Sequence, residues 1–177
     1  MRLLSSLLVL LFVLLGTGAQ VYARGVYQEP EAFLQDTFSN AVPKPAMVWV
    51  TRTIRPTVEK ILGHKPNALR IRYWREQART AWILEEIGKE KPITVGLVIN
   101  DDKIEKVKVL IFRESRGWEV KRSDFTKQFT HAKLDSNQKL TQTIDGISGA
   151  TLSVKAVTKL SRLSLYLHSL VIKSDGK

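Results

Sequence analysis

The stretch "ITVGLVINDDKIEKVKVLIF", residues 93–112, decides the fold. It contains two runs rich in β-branched residues, 93–100 and 103–112, which predict consecutive strands. The connection centred on Asp101 and Asp102 is as short as a hairpin loop. Because parallel strands need a longer crossover connection, a loop of this length requires antiparallel pairing.

The second of these strands also predicts the environment of its two faces. Lysine and glutamate alternate with Ile104, Val107, Val109 and Ile111, so one face is expected in water. The alternation changes phase once near residues 105–106, which predicts a β-bulge. Upstream, residues 70–74 and 80–87 are similarly rich in β-branched and aromatic residues and predict two further strands.

The C-terminal part of the chain predicts one long helix over about residues 150–171. Its apolar residues follow each other at spacings of four, three, four and three, which places them on one stripe: Ala156, Leu160, Leu163, Leu167 and Leu170. The stripe must be buried against the sheet. The sequence therefore predicts an α+β fold, a mostly antiparallel sheet with a long C-terminal helix packed on one face.

Shorter helices are predicted elsewhere. Residues 31–38 suit a short helix, and residues 57–62 suit a second one that begins after Pro56 and ends at Gly63. Residues 124–131 are expected to form a helix capped by Ser123. Because no repeat or low-complexity linker divides the chain after residue 23, we expect one domain.

The first 23 residues are expected to direct export. Arg2 precedes an apolar run, and Val21 and Ala23 place small residues at the specificity positions of a signal-peptidase site. Cleavage is expected after Ala23, with Ala19 as the second choice. The alternative is an uncleaved anchor, since residues 3–23 could just span a bilayer. Both interpretations place the remainder outside the cytoplasm.

Composition excludes several chemistries and narrows the partners. The chain has no cysteine, which excludes thiol redox chemistry, cysteine-bound iron–sulfur clusters and covalently attached c-type haem. The formal net charge is +11, and it is +10 without residues 1–23, whose only charged residue is Arg2. Outside the cytoplasm nucleic acid is not expected as a partner. Anionic lipid headgroups, acidic polymers, an acidic protein or a phosphorylated ligand would suit this charge, although scattered charges also suit an ordinary solvated surface.

The segment "IDGISGAT" places small residues at the start of the long helix. Thr151 falls in the first turn, where backbone N–H groups lack helical partners and the macrodipole favours an anion by roughly 0.3–1 kcal/mol. Gly146 and Gly149 allow close backbone approach, Ser148 can cap the helix or donate a hydrogen bond, and Ala150 leaves the threonine hydroxyl open. The segment therefore suits a phosphate group. An ordinary helix start capped by Ser148 is the alternative.

The same residues nearly match a serine nucleophile elbow. "GISGA" departs from G-x-S-x-G only by an alanine in the last position. An elbow should follow a buried strand, whereas the preceding "LTQTID" is polar. The single histidine after Ser148 is His168, which is expected at the far end of the helix, too distant to act as a base. The sequence does not favour a serine hydrolase.

The segment "DGISGAT", Asp145 to Thr151, resembles the D-x-x-[ST]-G-A-T motif of the FMN-binding domain family. That family includes the C subunit of the sodium-pumping NADH:quinone reductase and the G subunit of the Rnf complex. The resemblance implies that Thr151 is joined through a phosphoester to FMN, which a flavin transferase takes from FAD outside the cytoplasm. The helix start with Ser148 and Gly149 would then hold the phosphate, and Asp145 would help the transferase by orienting the hydroxyl or a magnesium ion.

A second segment, "IEKVKVLIFRESRGW", resembles the strand and loop of the same family that end in Glu-Thr-Pro-Gly-Leu-Gly. Glu114, Ser115 and Gly117 keep the first, second and fourth positions of the loop. Arg116 replaces the proline, and Trp118 with the following glutamate replaces Leu-Gly. The loop is therefore expected to contact the flavin differently.

Two further residues are candidates beside the flavin. Trp118 is expected to shelter or stack on the isoalloxazine, with a buried core tryptophan as the alternative. Lys155 lies four residues beyond Thr151 on the same helical face and is expected to offset phosphate charge, or to be simply solvated. The full candidate set for cofactor binding is Asp145, Gly146, Ser148, Gly149, Ala150, Thr151, Glu114, Ser115, Gly117 and Trp118.

These features predict an exported flavoprotein that carries FMN covalently and relays electrons, a carrier rather than a turnover enzyme. Its expected partners are the flavin transferase and a membrane redox partner. The predicted organisation is a signal peptide or anchor at 1–23, an N-terminal extension packed on the core at 24–79, an FMN-binding domain at 80–171 and a polar tail at 172–177. The alternative function is a flavin-free basic module that binds anionic membrane or cell-envelope surfaces.

Overall fold

The computed structural model describes residues 25–173. The expected signal peptide or anchor at residues 1–23 lies outside the described residues. In chain order the elements are α1 (Pro30–Thr37), β1 (Ala46–Trp49), α2 (Arg55–Leu62), β2 (Arg70–Glu76), β3 (Arg79–Ile87), β4 (Pro92–Asn100), β5 (Lys103–Phe112), a 3-10 helix (Trp118–Lys121), α3 (Ser123–Thr126), a second 3-10 helix (Lys127–Phe129) and α4 (Thr151–Lys173). None of the helices in this part of the chain is long and apolar enough to cross a membrane.

The five strands form one antiparallel sheet in the order β1-β2-β3-β4-β5. The long helix α4 packs on one face against β3, β4 and β5, which confirms the predicted α+β fold. The predicted bulge is present, because Val98 pairs with Lys106 and Ile99 pairs with Ile104, which leaves Glu105 unpaired. A second register shift, between Thr94 and Val95, was not predicted.

The apolar stripe of α4 is buried as predicted. Leu160, Leu163 and Leu167 belong to the main core between the helix and the sheet. The opposite face of the sheet has a smaller core, in which Phe33 of α1 packs so closely on Gly96 that a Cβ there would lie 2.7 Å from its ring. Residues 25–79 thus supply α1, α2, β1 and β2 to the same fold.

A buried polar network holds the far end of α4 to β3. The hydroxyl of Thr80 accepts a hydrogen bond from Trp82 Nε1 at 2.9 Å and lies 2.8 Å from His168 Nδ1. The other ring nitrogen, Nε2, lies 3.6 Å from Asp102 Oδ1. Burial lowers the pKa of His168 below its ordinary value, although the charge of Asp102 opposes this. His168 is therefore a structural residue, remote from Ser148.

Two elements differ from the prediction. The edge strand β1 was not predicted, because it has only four residues and follows a proline-rich segment. The helix expected at residues 124–131 is instead the single turn α3 followed by a 3-10 helix, and Ser123 is its first residue rather than its cap. The helix ends early because His131 and Ala132 exchange backbone hydrogen bonds with Ile104 at the start of β5.

Candidate functional site

The start of α4 and the loop after β5 border one open cleft of about 590 Å³. The two segments that carry the family resemblance are thus brought together, although residues 119–144 separate them in the chain. The residues that line the cleft are Lys89, Glu114, Ser115, Arg116, Gly149, Ala150, Thr151, Leu152 and Ser153.

Thr151 is the first residue of α4 and is exposed. The first backbone bond of the helix is donated by the Val154 N–H to the Ala150 carbonyl at 2.9 Å. The N–H groups of Thr151, Leu152 and Ser153 consequently have no acceptor within the helix. These N–H groups and the positive end of the helix dipole lie at the cleft beside the threonine hydroxyl, an arrangement that suits a phosphate group.

The small residues before Thr151 have different roles. Gly149 has a φ of +78°, which only glycine adopts without strain, and no other atom lies within 4 Å of the place where a Cβ would stand. Gly146 has the same open space without a positive φ, so the folded chain itself does not require glycine there. Ala150 is buried and occupies the position just before the first helical residue.

Ser148 does not cap the helix, so this interpretation of the sequence is wrong. Its side chain is exposed and makes no hydrogen bond within residues 25–173, and Ala150 occupies the cap position. The reason is that the chain turns at Ser148 and Gly149 before the helix begins, which moves the serine two residues too far from the first turn. The N–H groups at the helix start are therefore left open for a ligand.

Gly117 sets the distance between the loop and the helix. It is buried, and its φ of +84° lies in the left-handed region. A Cβ at this position would lie 2.6 Å from Ser153 Oγ and 3.4 Å from Ala150 Cβ. Any larger residue would have to move the loop away from the first turn of α4. Gly117 therefore allows the loop to pack directly against the helix start and close one side of the cleft.

Glu114 anchors the turn between β3 and β4. Its Oε1 atom accepts hydrogen bonds from the backbone N–H groups of Lys89, Glu90 and Lys91 at 2.5, 2.6 and 2.9 Å. Partial burial raises the pKa of the carboxyl, but these three hydrogen bonds and the charge of Lys89 outweigh it and leave the pKa below its ordinary value of 4.5. The carboxylate thus holds the β3–β4 turn in place through these hydrogen bonds, and the turn positions Lys89 at the cleft.

We expect Glu114→Gln to destabilise the protein by about 1 kcal/mol, because the amide oxygen can still accept hydrogen bonds but carries no charge. The depressed pKa means that the charge stabilises the fold above pH 4.5 and that this contribution is lost as the pH falls through the folded-state pKa. Urea unfolding at neutral pH and in acid checks this. If the difference in free energy of unfolding between the parent and Glu114→Gln grew in acid, the proposed role of the Glu114 charge would be contradicted.

Trp118 is exposed, with 46% of its surface accessible, so the alternative of a buried core tryptophan is wrong. It begins the 3-10 helix that follows the loop and lies outside the lining of the cleft. Lys121 Nζ lies 5.1 Å from the centre of its ring and 4.0 Å from that of Tyr27. The indole is consequently an exposed aromatic group beside the loop, with Lys121 over its ring.

Two other candidates also lie outside the lining of the cleft. Asp145 is exposed, and its backbone N–H donates to Gln128 Oε1 at 2.7 Å, while its carboxylate makes no hydrogen bond within the described residues. Lys155 is exposed and lines a groove against the end of α2. Lys155 therefore shares a helical face with Thr151 but does not border the cleft.

The cleft also contains residues that the sequence did not single out as ligands. Lys89 and Arg116 give one side of it a positive charge, and Leu152 is an apolar residue that is 46% exposed. The sequence gives no sign that Leu152 is exposed, because it lies four residues before Ala156 and continues the apolar stripe of α4. Lys89 carries no local signal, since only the pairing of β3 with β4 brings its turn to the helix start.

The fold and the cleft define a small α+β domain that can hold a phosphorylated ligand at a helix N-terminus. Residues 88–165 match the family model of the FMN-binding domain, which confirms the resemblance in the sequence. The match, over 78 of the 177 residues, supports FMN as the cofactor. It extends from the β3–β4 turn into α4 and includes every residue that lines the cleft. No curated protein and no solved structure matches the chain.

Proposed function

We propose that the protein is an exported electron carrier that holds FMN through a phosphoester to the Thr151 hydroxyl. One observation supports this above all: Thr151 is an exposed hydroxyl residue at the open start of α4, within a cleft that Lys89 and Arg116 also line. These residues suit the phosphate of FMN, because free N–H groups and two cations are the donors that phosphate oxygens accept from.

Attachment would use Thr151 as the nucleophile. Its Oγ1 would attack the flavin-side phosphorus of FAD, so that an O–P bond forms, the diphosphate bond breaks, the hydroxyl proton is lost and AMP leaves. A flavin transferase would supply the catalytic groups. Asp145, whose carboxylate is exposed and free of hydrogen bonds in the described structure, would bind the transferase's magnesium ion or orient the hydroxyl.

The chain would hold the flavin mainly at its phosphate end. Helix N–H groups, Lys89 and Arg116 would stabilise the phosphoester, whose remaining charge the helix dipole favours by roughly 0.3–1 kcal/mol. Leu152 and Trp118, both half exposed, would cover part of the ring. FMN itself supplies one- or two-electron transfer when bound. A covalent bond keeps the cofactor from being diluted outside the cytoplasm.

The proposed location of the carrier is outside the cytoplasm. Residues 1–23 would direct export and be cleaved after Ala23, or would remain as an anchor, and the carrier would work in the periplasm or on the outer face of the cytoplasmic membrane. Lack of cysteine and a charge of +10 after residue 23 suit this setting and a membrane redox partner. The flavin-free basic module remains the alternative function.

Intact mass of the protein from its native host tests the proposal. We expect a chain that begins at Arg24 and carries the added mass of one FMN residue, with flavin absorption that persists after denaturation. A mass equal to that of the polypeptide alone would favour the flavin-free module. A flavin that is released on denaturation would contradict the covalent bond but keep FMN as cofactor. An N-terminus at Met1 would contradict cleavage.

A further inference from the structure

One part of the sheet face that carries α1 is uncovered. Met47 pairs with Arg72 and Trp49 pairs with Arg70, and paired residues of adjacent strands project on the same side. All four side chains are exposed, and 43% of Met47 and 59% of Trp49 are accessible. The edge strand β1 therefore presents two large apolar side chains directly beside two arginines.

The charges of these arginines are not neutralised within the described residues. Neither Arg70 nor Arg72 makes a hydrogen bond or an ion pair there, and the Arg70 guanidinium lies 5.5 Å from the centre of the Trp49 ring. Leu69, which immediately precedes Arg70, is 54% exposed. The surface thus combines cations that have no acidic partner in the described residues with protruding apolar groups.

A recess of about 400 Å³ lies beneath this surface. It is present because β2 and β3 pair only from Tyr73 onward, so the strands separate where Arg70 and Arg72 stand. Apolar groups form part of its lining, and Glu31 is the one acidic residue that borders it in the described part of the chain. The lining comprises Pro30, Glu31, Leu34, Met47, Arg70, Arg72, Trp74 and Ile83.

We propose that this surface, consisting of Met47, Trp49, Leu69, Arg70 and Arg72, docks on an anionic phospholipid membrane. Tryptophan and methionine side chains suit the boundary between headgroups and acyl chains, and neighbouring arginines can reach lipid phosphates. An acidic protein surface with apolar groups would complement the same residues, and absence of vesicle binding would favour it.

The course of the chain supports this orientation. Strands β1, β3 and β5 run in the same direction, so Trp49, Ile87 and Phe112 lie at the same end of the sheet. The chain enters the described structure at this end, beside β5, the edge strand opposite β1, where the Gly25 carbonyl accepts a hydrogen bond from the Phe112 N–H at 2.8 Å. The apolar residues 3–23 precede Gly25 in sequence, and the cleft with Thr151 lies toward the same end.

Vesicle co-sedimentation of the chain from Arg24 onward, which contains every described helix and strand, tests the proposal without the apolar N-terminus. We expect binding to phosphatidylcholine vesicles that contain phosphatidylglycerol and little binding to phosphatidylcholine alone. Arg70→Gln and Arg72→Gln should each weaken binding by about fivefold, the factor expected for one cation at an anionic membrane. Trp49→Ala should weaken it by about tenfold through lost apolar burial.

The matched control is the pair Lys133→Gln and Lys139→Gln. Both lysines are exposed in the segment before α4, Lys133 borders a recess with Tyr166 and Lys173, and the pair removes the same charge as the two arginine changes. If the lysine pair and the arginine pair weaken vesicle binding equally, only net charge matters, and the proposal that this surface docks on the membrane is wrong. Binding that is absent in the parent chain would overturn the membrane as its partner. Thermal unfolding verifies that each variant is folded.

A spectroscopic measurement distinguishes this inference from the proposed function. On anionic vesicles the fluorescence of Trp49 should shift to the blue, and the shift should disappear in Trp49→Phe while the exposed Trp118 remains. Thr151→Val, which is expected to lack covalent flavin, should bind vesicles as the parent does. Loss of vesicle binding in Thr151→Val would tie the surface to the flavin and overturn it as an independent docking site.

Discussion

Thr151→Val is expected to remove covalent FMN completely and to leave the fold intact. The substitution keeps the shape of the side chain but lacks the hydroxyl that would form the phosphoester. Thr151 is exposed and makes no side-chain hydrogen bond within the described residues, so its loss should change stability by less than about 0.5 kcal/mol. To test this, the parent protein and Thr151→Val are each coexpressed with a flavin transferase and separated on a denaturing gel. Flavin fluorescence is then measured on the protein band.

Two variants control this result. Thr151→Ser restores a hydroxyl at the same atom and should recover flavin attachment. Ser148→Ala removes the nearest other hydroxyl, and because Ser148 does not cap α4, we expect it to keep both the flavin and the stability. Fluorescence that survives Thr151→Val, or that disappears only in Ser148→Ala, would show that a different residue carries the flavin.

Local sequence patterns were sufficient for most of the fold. The β-branched runs and the hairpin-length connection predicted four of the five strands, because these signals lie within single elements. Strand β1 carries too few residues for such a signal. Its position depends on pairing with β2, where Val48 lies opposite Ile71 and both belong to the main core.

The candidate site was predictable only in part, for a similar reason. The motif that ends at Thr151 describes a continuous stretch at a helix start, and the sequence alone was enough to find it. The position of Lys89 depends on the β3–β4 turn and on three hydrogen bonds to Glu114, which lies twenty-five residues later. The contact between Gly117 and Ser153 likewise joins separate elements. Such relations follow from the tertiary fold and not from local composition.

The fold itself makes the helix start available for a ligand. The first turn of α4 contributes an exposed threonine and unpaired N–H groups, so it gains little stability from its own contacts. The apolar residues further along the helix are buried against the sheet and fix its position. Because stability and binding reside on different turns of one helix, a change at Thr151 and a change at the buried stripe should have separate effects.

Leu167→Ala is accordingly expected to have the largest effect on stability, about 2–5 kcal/mol, through lost burial and the cavity that remains. Leu167 is fully buried in the main core. Leu163→Ala should fall nearer the lower end of that range, because Leu163 borders an open cavity of about 300 Å³ that water can enter.

Urea unfolding of the flavin-free chain measures these changes without a contribution from the cofactor. Leu152→Ala is the matched control, since it removes the same atoms from the same helix at a position that is 46% exposed, and it should cost less than about 0.5 kcal/mol. A cost for Leu167→Ala as small as that of Leu152→Ala would mean that α4 does not pack on the sheet. The cleft at Thr151 would then lose the element that positions it.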